Sequence, residues 1–218
     1  EMKKNIFAGF NVACIGDERV YSYLPSRDGK TISDEIATHV LYWIDPNFIR
    51  YTWLDRGSDE RQYCAPGIDL PIASIMRSKY GAYPEYHTSL DNLQDVVTPK
   101  GLEGGYWAIR KALELVERNK KFKVTVLGEP QMGKRNLYPT LSTKKIHKQV
   151  NLMMDLISMC DGNTSLLSIA NKLNVPAWDL YDLIDTLKSK DILVEINWNK
   201  NKFKKILIDI RKWRSEER

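Results

Sequence analysis

The sequence predicts an α/β domain followed by a small winged helix-turn-helix domain. In the first half, apolar strand candidates alternate with amphipathic helices, which is typical of helices packed on a parallel or mixed sheet. A segment with several Gly and Pro residues at 128–143 then favours a domain boundary. Beyond it, three helices and a strand are predicted, with a tight turn between the second and third helices. We therefore expect an α/β domain at 1–127, a linker at 128–143 and a winged-helix domain at 144–218.

Four strands are predicted in the first half. Residues 6–15 form an apolar run with β-branched and aromatic side chains, which predicts a buried strand. Shorter strands are predicted at 20–24, 48–54 and 70–76 from their apolar content or their alternation.

Two helices accompany these strands. Thr31 precedes the first helix, which ends before Pro46 because the residue ahead of a proline disfavours the helical conformation. Thr98 is placed to cap the second helix, and Pro99 suits its first turn. Spacings of four and three predict the buried face of this second helix as Leu102, Tyr106, Ile109, Leu113 and Val116.

The second half follows a helical pattern. A long helix is predicted at 146–160, then a turn at 161–164 and a second helix at 165–173. A third helix begins near Pro176, and a strand follows at 191–196. This order of elements is typical of a winged helix-turn-helix.

Charge limits what the second domain can bind. The net charge of +5 lies largely in the basic tail at 197–218. The third helix, in contrast, contains Asp179, Asp182 and Asp185, whose carboxylates would repel nucleic-acid phosphates. We therefore do not expect nucleic acid as a partner, and we expect the winged helix to mediate protein contact, such as a homo-oligomer.

Composition indicates a globular protein of ordinary type. Hydrophobic residues make up 43% and charged residues 28% of the 218 residues, and no apolar run approaches the roughly 20 residues of a membrane span. Cys14, Cys64 and Cys160 are too far apart to suggest a zinc motif or a disulfide framework, which favours a reducing, cytoplasmic location. Because the chain begins with Glu1 instead of Met, we expect further sequence upstream.

Two polar loops contain the candidate functional residues. The first, 57–71, brings Asp59, Glu60 and Arg61 together, although a salt-bridged surface loop would explain these charges equally well. The second, 83–92, contains His87, and an imidazole is a good zinc ligand when its other nitrogen is oriented by a partner. A lone loop histidine is more often a hydrogen-bonding surface residue, and Asp91 could equally be a helix cap.

The motifs of these loops resemble a known family. The motif residues are Ser58, Asp59, Tyr63, Gly67, Ile68 and Pro71, followed after a strand by Tyr86, His87, Thr88 and Asp91. They resemble the C-terminal half of the co-catalytic zinc aminopeptidases. The resemblance is closer to bacterial proteins with an aminopeptidase-like domain and a C-terminal winged helix, which are often associated with polysaccharide biosynthesis.

The resemblance implies a fold, a reaction and a set of residues. The fold would be part of a zinc-exopeptidase three-layer sandwich, and the full-length protein would cleave an amide or N-terminal aminoacyl bond with metal-activated water. Its substrate would be a peptide or an aminoacylated small molecule, and its cofactor would be zinc. The general base is expected upstream, so this chain alone should be inactive. His87 is implied as a metal ligand, and the residues implied at the substrate pocket or behind the ligands are Asp59, Glu60, Arg61, Tyr86 and Asp91.

The chain departs from the family at two positions, and two alternatives stay open. Ala13 stands near the position where ordinary aminopeptidases have a further acidic ligand, and alanine cannot bind metal. In addition, the residue after Asp59 is Glu60, where the zinc peptidases have histidine. The alternatives are a helix-turn-helix binding protein, which the winged helix with its basic tail would suit, and a scaffold that contains a degenerate hydrolase domain, which Ala13 favours.

Overall fold

The computed structural model describes residues 2–135 and 144–196, which divide into two compact units at 2–112 and 113–196. The strands of the first unit are β1 (Gly9–Val12), β2 (Ser22–Leu24), β3 (Ile49–Arg50) and β4 (Ile72–Met76). Its helices are α1 (Ile32–Ile44), the single-turn α2 (Glu60–Tyr63) and α3 (Pro99–Arg118), the last of which continues into the second unit. The predicted α/β class is therefore confirmed.

The sheet of the first unit is mixed, with strand order β1-β4-β2-β3. β1 runs parallel to β4, β2 runs antiparallel to β4, and β3 runs parallel to β2. All five residues of β4 are buried, as expected for a central strand. Because β1 and β4 are parallel, their carboxyl ends lie side by side, and the segments that follow them meet at this edge.

Two predicted strands are shorter than their apolar patterns suggested. β1 covers only Gly9–Val12, because Cys14 adopts the left-handed conformation with φ 48° and leaves the extended path. The strand predicted at 48–54 is reduced to β3 and a 3₁₀ turn at Trp53–Asp55. The Asp55 carboxylate accepts hydrogen bonds from the backbone N–H and the hydroxyl of Thr52, which favours the turn over the strand.

Asp34 joins α1 to the strand before it. Thr31 and Asp34 form a capping box at the start of the helix, which begins where the sequence predicted it. The buried Asp34 carboxylate also accepts hydrogen bonds from the Tyr23 hydroxyl at 2.8 Å and from the Ser26 backbone N–H at 2.8 Å. One side chain therefore satisfies donors from β2, from the turn after it and from the helix terminus.

The buried face of α3 differs from the predicted one. Leu102 and Tyr106 are 43% and 55% exposed. The buried residues of the helix are Gly101, Gly105, Ala108, Ala112, Leu115 and Val116, so Val116 is the one residue of the predicted face that is buried. The glycines allow the helix backbone to approach the 15–17 segment, since a Cβ at Gly101 would overlap the carbonyl oxygen of Gly16. Close backbone packing therefore decided which face is buried at the start of the helix, where hydrophobic spacing did not.

The second unit is a winged helix-turn-helix. Its elements are β5 (Lys121–Val124), α4 (Lys144–Met159), β6 (Asp161–Ser165), α5 (Leu166–Leu173), α6 (Tyr181–Ser189) and β7 (Leu193–Ile196). The strands form an antiparallel sheet in the order β6-β5-β7. α5 ends at Asn174 in the left-handed conformation, which makes the tight turn before α6.

Two details of the second unit differ from expectation. The segment 161–164, predicted as a turn, lies in β6, because its backbone pairs with β5. β5 lies before the expected linker at 128–143 and yet pairs only with strands of the second unit, so that unit begins earlier in the chain. Residues 136–143 of the expected linker and the basic tail at 197–218 lie outside the described residues. Among the described helices, none has the length and apolar character needed to cross a membrane.

The packing of α3 predicts an unusual mutational effect. Gly→Ala inside a helix normally stabilises a protein by up to about 1 kcal/mol. Gly101→Ala should instead destabilise this one by about 2 kcal/mol or more, because the new methyl group would overlap the backbone of Gly16. Chemical denaturation of the variant measures the effect. Glu103→Ala, at an exposed position of the same helix, is the control and should change the free energy of unfolding by less than about 0.5 kcal/mol.

Candidate functional site at the carboxyl ends of β1 and β4

The segments that follow β1 and β4 are joined by the buried carboxylate of Asp17. It accepts hydrogen bonds from the backbone N–H of Ser78 at 2.8 Å, the Ser78 hydroxyl at 2.8 Å and the backbone N–H of Arg19 at 2.9 Å. The Arg77 guanidinium donates to the Asp17 carbonyl at 2.7 Å, and the Arg77 N–H donates to the carbonyl of Cys14 at 2.9 Å. The start of the 77–98 loop is therefore fixed to the end of β1.

A second set of contacts attaches the loop that contains His87 to the segment after β1. The Arg19 guanidinium donates two hydrogen bonds to Glu85, each of 2.9 Å, and lies over the ring of Tyr83. The bidentate geometry restrains both the distance and the orientation of the loop. The Tyr83 hydroxyl in turn donates to Asp91 at 2.9 Å, so the loop is also closed on itself.

His87 is exposed at the tip of this loop. Its backbone is left-handed, with φ 59°, and its ring stacks on Tyr86 with 3.9 Å between centroids and 17° between planes. Tyr86 packs against a buried cluster formed by Leu24, Met76 and Tyr80. Among the described residues, no side chain forms a hydrogen bond with the imidazole, so its nitrogens remain available to a ligand.

The residues beneath this loop do not complete a metal site. Ala13 and Cys14 pack against the same cluster as Tyr86. Burial raises the pKa of the Cys14 thiol above its ordinary value, although the hydrogen bond from Tyr83 opposes the change, so the thiol stays protonated at neutral pH. In the part of the chain that the structure describes, no three His, Cys, Asp or Glu side chains come together as a metal site.

Glu60 is buried and anchors the first polar loop. Its carboxylate accepts hydrogen bonds from the N–H groups of Gly57 at 2.7 Å and Ser58 at 2.9 Å, from the Tyr80 hydroxyl at 2.7 Å and from the Asn11 amide at 3.0 Å. Burial by itself would raise the pKa of Glu60, but these hydrogen bonds outweigh it and the pKa is lowered. Because the chain itself supplies these four donors, the role of the Glu60 carboxylate is to stabilise the loop.

Asp59 and Arg61 lie on the exposed side of the same loop. Arg61 donates to the carbonyl of Ser58 at 3.2 Å, and neither Asp59 nor Arg61 forms an ion pair with a described residue. The structure thus brings Tyr86, His87 and Asp91 into one loop, while Asp59 and Arg61 stay on a separate segment.

Sequence reasoning missed the residues that support the His87 loop. Asp17, Arg19, Tyr83 and Glu85 form these contacts, and the Arg19–Glu85 pair joins positions 66 residues apart in the chain. No local pattern indicates such pairing, because single charged residues in loops are usually solvated.

The geometry can be compared with known proteins. A family model described as a domain of unknown function, DUF4910, matches residues 1–119, and a winged helix-turn-helix model matches residues 120–195. The chain is 34% identical over 171 residues to a Clostridium acetobutylicum protein that is named provisionally as a polysaccharide biosynthesis protein with an aminopeptidase-like domain. That match covers 78% of this chain and 39% of the relative.

A solved structure gives a similar result. A crystal structure of a protein from Clostridium acetobutylicum, named provisionally as a peptidase, matches with a TM-score of 0.76 and 31% sequence identity. The match covers 88% of this chain and 43% of that protein, so the chain spans about two fifths of the length of these relatives. The resemblance to aminopeptidase-like proteins with a winged helix is confirmed.

The role of Glu60 predicts a specific dependence of stability on pH. Because the pKa of Glu60 is lowered on folding from its ordinary value of 4.5, its contribution is present above that pH and is lost as the pH falls through the folded-state pKa. Glu60→Gln should remove about 1–3 kcal/mol of stability at neutral pH and weaken the acid dependence. Denaturation curves from pH 7 to pH 3 test this, with Asp59→Asn as the exposed control. Equal stability of both variants would contradict the structural role.

Proposed function

Because the chain belongs to the DUF4910 family and resembles proteins named as aminopeptidase-like and as a peptidase, we propose that it is part of a metal-dependent hydrolase. The reaction is the cleavage of an amide or N-terminal aminoacyl bond in a peptide or an aminoacylated small molecule. The name of the relative supports a role of the full-length protein in polysaccharide biosynthesis. The three cysteines are free thiols, which supports a cytoplasmic location.

The observation that carries the proposal is the exposed imidazole of His87. It lies on a doubly attached loop at the carboxyl ends of two parallel strands, where open α/β sheets commonly bind ligands. Zinc, when bound, would lower the pKa of a water molecule and polarise the scissile carbonyl. This chain would contribute His87 as one ligand, and the remaining ligands and the general base would come from the upstream part of the full-length protein.

The described residues have supporting roles in this proposal. Tyr86 restricts the orientation of the His87 ring by stacking, and Arg19 with Glu85 restricts the position of the loop. A site whose ligands are pre-oriented loses less conformational entropy when it binds. Asp91 is engaged by Tyr83, so it acts on the shape of the loop and is not a free acid.

A second candidate is a scaffold that retains the fold without the chemistry. The observation that favours it is Ala13, which packs into an apolar cluster at the end of β1, near the position where the aminopeptidases have an acidic ligand. A scaffold would have no need for an accessible imidazole at His87, so metal binding distinguishes the two candidates.

The metal prediction is tested on a full-length protein that contains this chain. His87→Ala should reduce the affinity for zinc by more than about 10–100-fold, since even the loss of a residue that supports a ligand costs that much. Zinc content and amide hydrolysis are measured for both proteins. Gln94→Ala, an exposed polar change in the same long loop, is the control and should retain zinc. Equal zinc content in wild type and His87→Ala would remove His87 from the site and favour the scaffold.

The winged helix is proposed to mediate protein contact, including contact between subunits. Asp182 and Asp185 are exposed on α6, the helix that would approach DNA in a helix-turn-helix protein, and Asp185 pairs with Arg118 at 2.8 Å. These carboxylates would repel phosphate.

Titration against duplex DNA at physiological salt tests the proposed protein-contact role. We expect binding no tighter than the non-specific range of about 10⁻⁴–10⁻⁶ M, with a strong dependence on salt. Asp182→Lys should strengthen this non-specific binding, because it replaces a repulsive charge with an attractive one. Sequence-dependent binding in the nanomolar range would instead favour the alternative of a helix-turn-helix binding protein.

A further inference from the structure

β1 is an edge strand of the first sheet. Among the described strands it pairs only with β4, in parallel, and no described strand lies along its other edge. Parallel strands usually lie inside covered sheets, because an edge strand leaves a row of backbone N–H and C=O groups without partners. Exposed edges are commonly protected against further pairing, and the two edges of this sheet differ in that protection.

The backbone groups that face away from β4 are those of Phe10 and Val12. The Gly9 N–H donates to the Ser33 hydroxyl at 2.9 Å, and that hydroxyl donates to the Pro71 carbonyl at 2.6 Å. Because Pro71 directly precedes β4, the Gly9 N–H faces β4. Alternate residues of a strand direct their backbone groups to the same side. The N–H and C=O groups of Phe10 and Val12 therefore point to the free edge.

The opposite edge of the sheet, formed by β3, is protected. β3 has only two residues, Ile49 and Arg50, and the chain then turns into the 3₁₀ turn at Trp53–Asp55. The N–H groups of Ile49 and Tyr51 donate to β2, so the N–H of Arg50 points away from the sheet. Arg50 is itself charged and exposed. Short length and a charged residue are common means of preventing pairing between sheet edges.

The edge formed by β1 has none of these features. Residues 6–15 contain no charged residue and no proline, and β1 pairs with β4 in continuous register without a bulge. Val12 is 45% exposed and Phe10 is partly exposed, and the alternation of a strand places both side chains on the same face. An uncharged apolar edge promotes aggregation unless another strand covers it.

The length of the relatives favours a strand of the same polypeptide as the partner of this edge. The chain spans about two fifths of the relatives described above, so most of their length has no counterpart in it. β1 is the first described strand, and strands that are consecutive in sequence are neighbours about two thirds of the time. Because β4 fills one edge of β1, a preceding strand would lie at the other.

A second copy of the chain suits this edge less well. Two outward-facing residues in each copy provide few hydrogen bonds, whereas stable protein interfaces bury about 1,200–2,000 Å². A separate copy also loses translational and rotational freedom on binding, and a tethered strand loses much less. The basic tail at 197–218 lies outside the described residues, so the experiment below has to distinguish it from an upstream strand.

We propose that a strand from the upstream part of the full-length protein pairs with the free edge of β1 and extends the sheet. Its backbone forms hydrogen bonds with Phe10 and Val12, and its apolar side chains cover the exposed surface of Val12. The proposal goes beyond the proposed function, because pairing requires neither zinc nor hydrolysis. A scaffold without catalytic activity would be joined to its upstream part in the same way.

Amide hydrogen exchange on a full-length protein that contains this chain measures the pairing. The Phe10 and Val12 amides should exchange at least about 1,000-fold more slowly than in the unfolded protein, because paired amides exchange only when the structure opens. The Arg50 amide, at the protected edge, is the control and should exchange within about tenfold of the unfolded rate. Exchange of Phe10 and Val12 within that same tenfold range would overturn the proposal.

A photo-cross-linker identifies the partner of the edge. p-Benzoylphenylalanine is incorporated in place of Val12, whose exposed side chain lies on the edge strand, and cross-linked peptides are identified by mass spectrometry. We expect a cross-link to a residue upstream of this chain in the same molecule. The absence of an upstream cross-link, whether the label reaches the basic tail at 197–218, a second molecule or neither, would overturn the proposal.

Matched proline variants test what the pairing contributes to stability. Val12→Pro removes an N–H that faces the free edge, and Arg50→Pro removes one that faces away from β2, so neither breaks a bond between described strands. Val12→Pro should lower the midpoint of thermal unfolding of the full-length protein by at least about 5 °C more than Arg50→Pro. Equal midpoints of the two variants would contradict pairing at β1.

Discussion

The candidate site depends on the hydrogen bonds that the buried Asp17 carboxylate accepts from Ser78 and Arg19. These bonds connect the segment after β1 to the segment after β4, so two loops that are distant in sequence are fixed at one edge of the sheet. A buried carboxylate is expensive to remove from water unless such donors replace the water. Separation of the two loops would leave that charge unsatisfied, and the arrangement of the edge is therefore strongly preferred.

A buried carboxylate also connects two segments at two other places in the first unit. Asp34 connects β2 to the start of α1, and Glu60 connects the first polar loop to Asn11 and Tyr80. In each case a carboxylate accepts backbone N–H groups that a loop would otherwise leave unpaired. A hydrogen bond makes a net contribution to stability of only about 0.5–1.5 kcal/mol. A buried donor or acceptor that is left without a partner costs about 1–3 kcal/mol or more. Other conformations of these loops would leave such groups unpaired, so the observed conformations are preferred.

This rigidity gives the exposed groups a defined arrangement. His87 and Tyr86 lie in the loop that follows β4, and the Arg19–Glu85 pair attaches this loop to the segment after β1. The described residues supply one accessible imidazole but no complete set of metal ligands. A division of the site between this chain and the rest of a longer protein is consistent with a chain that spans about two fifths of its relatives.

Local chemistry in the sequence was sufficient to identify the capped helix at Thr31, the alternation of strands and helices, the order of the winged-helix elements and the loop that presents His87. Each of these depends on residues that are close together in the chain. Only the tertiary structure decided that α3 buries its glycines and exposes Leu102 and Tyr106, and that Glu60 is buried while its neighbour Asp59 is exposed. Periodicity shows which residues share a face, but the choice of the covered face depends on the segment that packs there. For α3 that segment includes the backbone carbonyl of Gly16, 85 positions earlier in the chain. The sequence around Gly101 does not indicate this contact.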